Sequence, residues 1–272
     1  MRRWFLALPA GVGLATARSC IKMLLGWGTT NSGVFSAGNG PSMRSAVIGV
    51  HFKNEPALLE AFVRRSTVLT HTDPKAQTAA LAIAKCAAFA ASQHRIPSLE
   101  ELDALLRPQA DDEWKALTEE ISTAIAEDKT PSEFAVAIGC RRKGVSGYSY
   151  QSVPVALFLW LHHQGEIEAA VRDAIQLGGD TDTVAAITGA LCGASGEIGG
   201  IPSHWITDLI DWPINEGFLR QLATDLSSGD LAKRRPSLLQ VLGRPVRNLC
   251  FLAIALFHGF ARFRFFCANR SR

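Results

Sequence analysis

The first 54 residues contain neither aspartate nor glutamate, and the first acid is Glu55. Six basic residues occupy the same stretch: Arg2, Arg3, Arg18, Lys22, Arg44 and Lys53. An acid-dependent site cannot be built from this opening alone. The six cysteines (Cys20, Cys86, Cys140, Cys192, Cys250, Cys267) include no Cys-x-x-Cys pair, which excludes a zinc-finger spacing. Several stand among alanines and leucines, where a free thiol behaves as a small hydrophobe; reduced thiols in a cytoplasmic protein are the expectation. No run alternates β-branched and polar residues for long enough to make a sheet. The chain has neither an internal repeat nor a low-complexity linker to divide it. A formal net charge of +3 is too small to argue for nucleic acid.

Helical periodicity fills the space left by these absences. Leu58-Leu59-x-x-Phe62-Val63, Ala79 to Ala91, Leu99 to Leu106 and Trp114 to Ile125 all place apolar residues three and four apart. Asp73-Pro74 is a helix start for the second of these, and Pro131-Ser132-Glu133-Phe134 opens a short helix. Pro154 to His162 is apolar on nearly every side and is expected at the centre, while Ile167 to Leu177 leads into an acidic turn. The adjacent acids Asp111-Asp112 read as a solvated surface. A chain of 272 residues can bury one substantial core. The reading is one all-α, compact helical domain over 1–245. Residues 230–245, with Asp230 and Lys233-Arg234-Arg235-Pro236, form its closing loop, and 246–272 a basic, apolar C-terminal helix or tail.

Both ends invite a membrane reading. Met1 to Val12 imitates a secretory leader, with Ala15-Thr16-Ala17 as a cleavage site. The segment runs on without a break into the glycine-rich block below, which favours a mid-domain segment instead. Leu249 to Phe257 is too short an apolar run to span a bilayer. A terminal helix docked on the core is expected; a basic-flanked helix resting on an anionic membrane is the second reading.

The most informative segment is Gly178-Gly179-Asp180-Thr181-Asp182-Thr183, followed by the small-residue run Val184 to Ala194. Two glycines allow a tight turn and close approach of a ligand. Two carboxylates and a hydroxyl then crowd at a helix start, an oxygen-only set suited to a hard divalent cation. The plain alternative is that Asp180 and Thr183 cap the helix.

Gly178 to Gly193 resembles the signature of the ADP-ribosylglycohydrolase family, which includes the dinitrogenase reductase-activating glycohydrolases. Two further blocks agree. Ser36-Ala37-Gly38-Asn39-Gly40-Pro41-Ser42-Met43-Arg44, continuing to Gly49, is similar to the segment that lines the family's ADP-ribose cleft. Gly147-Tyr148-Ser149-Tyr150-Gln151-Ser152-Val153-Pro154-Val155-Ala156 resembles the stretch preceding its acidic motif. Thr70-His71, expected in an intervening helix, stands where relatives carry Thr-His. The resemblance covers roughly residues 4 to 200 and implies an orthogonal helical bundle. It further implies hydrolysis, with Mg²⁺ or Mn²⁺ as a pair of ions, of the glycosidic bond joining ADP-ribose to a protein or small-molecule acceptor. Positive charge then develops on the ribose and a nearby carboxylate stabilises it.

The resemblance makes Asp180, Asp182 and Thr183 metal ligands and gives substrate contacts to Ser36, Gly38, Asn39, Gly40 and His71. A core, hydrogen-bonded role is open for His71 as well. Met43 and Arg44 are expected to pack beneath the loop. Tyr148 and Tyr150 either stack on the ligand or pack, and His162-His163 is expected at a helix end near solvent. One departure is large. The acidic residue and Thr-Asp-Asp motif that family members carry upstream of the Gly-Asn-Gly block have no counterpart here. Asp182 is the one acid the resemblance offers for catalysis. The expectation is therefore a truncated or degenerate member, with ADP-ribose binding or a structural role as the alternative to hydrolysis.

Overall fold

A computed structural model of the chain describes residues 1–107, 111–140, 143–196, 200–229 and 237–270, with side chains to 258. Its α-helices run in order α1 (Arg2–Leu6), α2 (Leu14–Leu24), α3 (Ser45–His51), α4 (Pro56–Val68), α5 (Pro74–Gln93), α6 (Leu99–Leu106) and α7 (Asp112–Ala126). Then follow α8 (Pro131–Ala137), α9 (Ser149–His162), α10 (Ile167–Gln176), α11 (Thr181–Ser195), α12 (Ser203–Thr207), α13 (Glu216–Ser227) and α14 (Leu238–Arg270). No strand forms among the described residues; extended segments meet only at three isolated bridges. The fold is all-α, as the periodicity requires.

Local signals set most boundaries. Asp73 accepts from Lys75 N at 2.9 Å and Pro74 takes the first turn of α5, which ends at His94 in the left-handed region. Ser98 with Glu101 and Thr130 with Glu133 form reciprocal capping boxes at α6 and α8. Asp111 departs from the reading as a merely solvated acid. Its carboxylate accepts from Trp114 N at 2.8 Å, capping α7, and from the buried Tyr150 hydroxyl at 3.0 Å.

The core forms around α9, which is buried along its whole length except at Gln151 and His162. Phe158 stacks on Phe134, with Trp160, Leu157 and Leu159 fully enclosed. Each such side chain contributes about 1.5–3 kcal/mol of apolar burial. The helix starts at Ser149, five residues before the expected Pro154, because Ser149 N is already engaged by Ala37 O at 2.8 Å and the proline is accommodated inside. Helix α5 is a rod of alanines touched on two sides. The main core lies on one side, and Leu59 and Val63 of α4 with Ile48 and Phe52 lie on the other. Small residues permit close crossings: a Cβ on Gly49 of α3 would lie 2.0 Å from Ala84 O of α5.

The end of the domain differs from its sequence reading. Residues 230–236 lie outside the described residues, but 238–245, expected as loop, are the first two turns of α14. Ser237 and Gln240 start it as a capping box, with Ser237 N to Gln240 Oε1 at 3.0 Å and Gln240 N to Ser237 Oγ at 3.2 Å. Pro245 is carried within the helix.

Candidate functional site

Three segments far apart in sequence join in series. Val34 pairs with the 70–72 turn, its N–H donating to Thr70 O at 3.1 Å and its carbonyl accepting from Thr72 N at 3.0 Å. This seats the following loop, residues 36–44. Asn39 N then donates to Gly147 O at 3.0 Å, and Gly38 bridges Tyr148. The middle segment continues the chain of contacts: Val145 N donates to Gly178 O at 3.1 Å and Asp180 N to Val145 O at 2.7 Å. Only glycine fits the second junction. Gly144 and Gly179 have φ of +83° and +81°, and a Cβ at either would come within 2.2 Å of the facing backbone.

The seam closes with a side-chain bond. Asn39 Nδ2 donates to Asp180 Oδ2 at 2.7 Å across 141 positions of sequence, and Asn39 is 8% exposed. Asp180 occupies the N-cap position of α11 yet makes no side-chain cap bond. The plain capping reading of Asp180 therefore fails: its carboxylate turns to Asn39 of the 36–44 loop and leaves the helix N–H groups. Gly147 adjoins the pair, where a Cβ would be 3.2 Å from Asp180 Oδ2. Asp182, two residues on, is exposed, and Thr183 is buried. Ser36 Oγ accepts from Gly38 N at 3.3 Å and shapes the loop from within.

Beneath this loop lie the groups that hold it. His71 is not in a helix, as expected, but in the extended turn between α4 and α5, because Asp73-Pro74 starts α5 only afterwards. It is 3% exposed, and its Nε2 would lie 3.0 Å from a Cβ on Gly38. Arg44 donates to Gly40 O (3.0 Å), Ser66 Oγ (2.8 Å), Ser66 O (2.7 Å) and Thr70 Oγ1 (2.8 Å). Because Arg44 donates to that hydroxyl, the Thr70 proton is free to serve His71 Nδ1 at 2.8 Å. Burial, aided by the Arg44 charge and opposed by Asp73, pushes the His71 imidazole down to about 4, so it is neutral at pH 7. Burial lowers Arg44 to about 10, which leaves it charged. Arg44 thus packs under the loop as expected, whereas Met43 does not: it is 47% exposed, directed away from the buried side of the turn.

The two tyrosines divide. Tyr150 is buried against Trp114. Tyr148 stays half-buried at the rim, its hydroxyl accepting from Lys75 Nζ at 2.9 Å and donating to Glu113 Oε1 at 2.9 Å. Lys75 also pairs with Glu113 and lies 5.6 Å from the Tyr148 ring centroid. Nothing in the spacing of Lys75 or Glu113 connects them to residue 148; only the docking of α5 and α7 does so. His163, at the end of α9, meets Asp173 of α10 at 2.8 Å, away from the seam.

The donor set offers one wall of a metal centre. Asp180, Asp182 and Thr183 supply a few oxygens from a single turn, and Asn39 already engages one of them. Among the described residues no group of three or more His, Cys, Asp or Glu could hold a metal ion. Mg²⁺ wants about six oxygens in near-octahedral array, so these residues do not fit a complete centre. Elsewhere burial pushes the Cys86 and Cys192 thiols up to about 12, consistent with inert packing residues.

Comparison with known proteins bears on the same residues. A family model described as ADP-ribosylglycohydrolase matches residues 1–236. An uncharacterized protein of Archaeoglobus fulgidus is 31% identical over 227 residues, which span 83% of this chain and 70% of that protein. The ADP-ribosylhydrolase ARH3 of Danio rerio is 34% identical over 88 residues, 29% of this chain and 23% of its own length. A solved structure described as an ADP-ribosylglycohydrolase-related protein complex superposes with a TM-score of 0.59 at 27% identity, covering 84% of this chain and 71% of that one.

Proposed function

Because the chain belongs to the ADP-ribosylglycohydrolase family, whose activity is of the glycohydrolase type, we propose that the seam between the 36–44 loop and the start of α11 recognises the ADP-ribose part of an ADP-ribosylated substrate. The observation that carries this is the Asn39–Asp180 bond, which turns an N-cap carboxylate toward the glycine-rich 36–44 loop. Gly38 and Gly40 let the loop lie directly on the His71 ring. With the Gly38 and Asn39 N–H groups engaged by Ser36 Oγ and Gly147 O, the Gly40 N–H is the loop donor this reading gives to a pyrophosphate oxygen. Asp180 and Asp182 offer acceptors to ribose hydroxyls and negative charge to a developing ribosyl cation. His71 serves as the neutral floor of the loop, and Ser36 fixes its turn.

The same geometry favours a division between binding and turnover. Asp180 and Asp182 come from one turn, and among the described residues no group of three or more His, Cys, Asp or Glu completes a metal site around them, so a divalent ion would be held from one side only. This chain by itself is therefore a binder with slow or no hydrolysis. The expected Mg²⁺ or Mn²⁺ would stabilise it little.

The test is calorimetric titration with ADP-ribose, followed by assay of ADP-ribose release from an ADP-ribosylated protein with Mg²⁺ or Mn²⁺. Saturable ADP-ribose binding with little release supports the reading. Absence of binding overturns it, and rapid release unaffected by Asp182→Ala overturns both the slow-turnover and the ligand assignment.

A further inference from the structure

Helix α14 is mounted the wrong way round for a soluble protein. The residues it turns toward the body are polar or small and recur every three or four positions: Gln240, Gly243, Arg244 and Asn248. Asn248 is 8% exposed and its Nδ2 donates to Ala7 O at 2.7 Å, just beyond α1. Arg247 pairs with Asp211 at 3.0 Å, and a Cβ on Gly243 would meet the Trp212 ring at 2.8 Å. Leu242, Leu249 and Leu252 on the opposite side are exposed, past Asn248 so are Phe251, Ile254, Leu256 and Phe257, and only 11% of the apolar window in Leu238–His258 is buried. Exposed apolar surface on this scale marks an interaction face.

Charge decides what covers it. From Leu238 to Arg270 the sequence holds five arginines (244, 247, 262, 264 and 270) and no acid. Helix α1 adds Arg2, Arg3 and the exposed Trp4 with no acid either. A second copy of this helix would bring like charge to like charge, whereas an anionic bilayer supplies both the missing negative charge and an apolar phase. Tryptophan at the edge is the residue that favours the headgroup level.

We propose that α14, with α1 beside it, rests on anionic membrane surfaces through its outward apolar face. The helix lies flat rather than crossing. Its longest stretch free of charged residues, 248–261, spans about 21 Å at 1.5 Å per residue, short of the ~30 Å hydrocarbon core. Its anchors to the body, Arg247 and Asn248, fall within the window that would have to enter the bilayer. A helix tethered along its polar side can bury only the other side, which is the interfacial arrangement.

The experiment is co-sedimentation of the full chain with vesicles of phosphatidylcholine alone and of phosphatidylcholine mixed with phosphatidylglycerol, at low and high salt. Binding is expected on the anionic vesicles, weakened by salt. Arg2→Gln with Arg3→Gln should weaken it roughly thirtyfold, from about 1 kcal/mol per basic residue near the surface. Leu249→Gln with Leu256→Gln should weaken it at least about tenfold by removing apolar contact. Circular dichroism checks that each variant keeps its helix content; the arginine pair, on exposed positions, tests the proposal even if the leucine pair does not fold. No binding at low salt, or binding indifferent to lipid charge and to the arginine pair, overturns it. So does a dimer in solution that the leucine pair dissociates while neither form binds vesicles.

Discussion

Asn39 does two jobs at the seam: its backbone N–H fixes the loop to Gly147 and its amide holds Asp180. Asn39→Ala keeps the first and deletes the second, leaving a half-buried carboxylate without its donor. Hydrogen bonds to charged groups are worth about 1.5–3 kcal/mol. Calorimetry should therefore show ADP-ribose affinity lowered about ten- to hundredfold, with the helix content unchanged. His71 makes a different prediction, in acid. Below pH 6.5 the unfolded chain takes up a proton at this imidazole, and the native chain does not until about pH 4. Stability is therefore full above pH 6.5 and falls as pH drops through that window, by at most about 1.4 kcal/mol per pH unit from this residue. Arg44, charged beneath the same loop, opposes protonation and Asp73 partly relieves it. Urea titrations across the window should show this slope, and His71→Gln should flatten it whatever its cost at pH 7.

Helix crossings are where single methyl groups decide. Gly49 lets α3 lie against the backbone of α5, while Gly189 in α11 has only Val171 Cγ2 nearby, 3.5 Å from where a Cβ would sit. The same substitution should act with opposite sign. Gly49→Ala forces the helices apart and should cost at least about 1–3 kcal/mol, as overpacking does. Gly189→Ala removes a flexible residue from a helix interior and should add about 0.5–1 kcal/mol. Chemical denaturation of the two variants side by side checks both. Element boundaries follow the same local logic. The Ser98, Thr130 and Ser237 boxes all begin helices where their hydroxyl and the acid or amide three residues on satisfy free N–H groups.

Across the whole molecule, burial is concentrated in the first 195 residues. Helices α5, α9 and α11 contribute most of the enclosed side chains, whereas α1, α12 and α13 contribute none. Native-state hydrogen exchange should therefore be slowest in α5 and α9, near the global unfolding limit, and fast in α12 and α13. Protection of α13 equal to that of α9 would contradict this distribution. Exposed apolar residues cluster at the two ends of the chain, on α1, α2 and α14. The deep core and the outward apolar faces thus belong to different parts of one polypeptide.

The all-α architecture was legible without coordinates because apolar spacing of three and four is a property of the chain alone, and so was the helix start at Asp73-Pro74. The blocks at 36–44, 147–156 and 178–183 could be picked out for the same reason: glycines and polar groups interrupt otherwise apolar helices. Their convergence was expected from resemblance, but the contact that joins them was not visible. Whether Asp180 caps α11 or turns to the 36–44 loop depends on a donor 141 residues away, and whether Met43 is covered depends on what packs over it. Asp111 looked like free surface because its partner, the Tyr150 hydroxyl, arrives only when α9 docks. Residues 238–245 read as loop with the polar run Lys233-Arg234-Arg235-Pro236 before them, while the Ser237–Gln240 capping box starts a helix straight after it. Sequence determines what each segment prefers within a few residues. The tertiary structure decides which side chain meets which across long separations, because those energies exist only after the helices have packed.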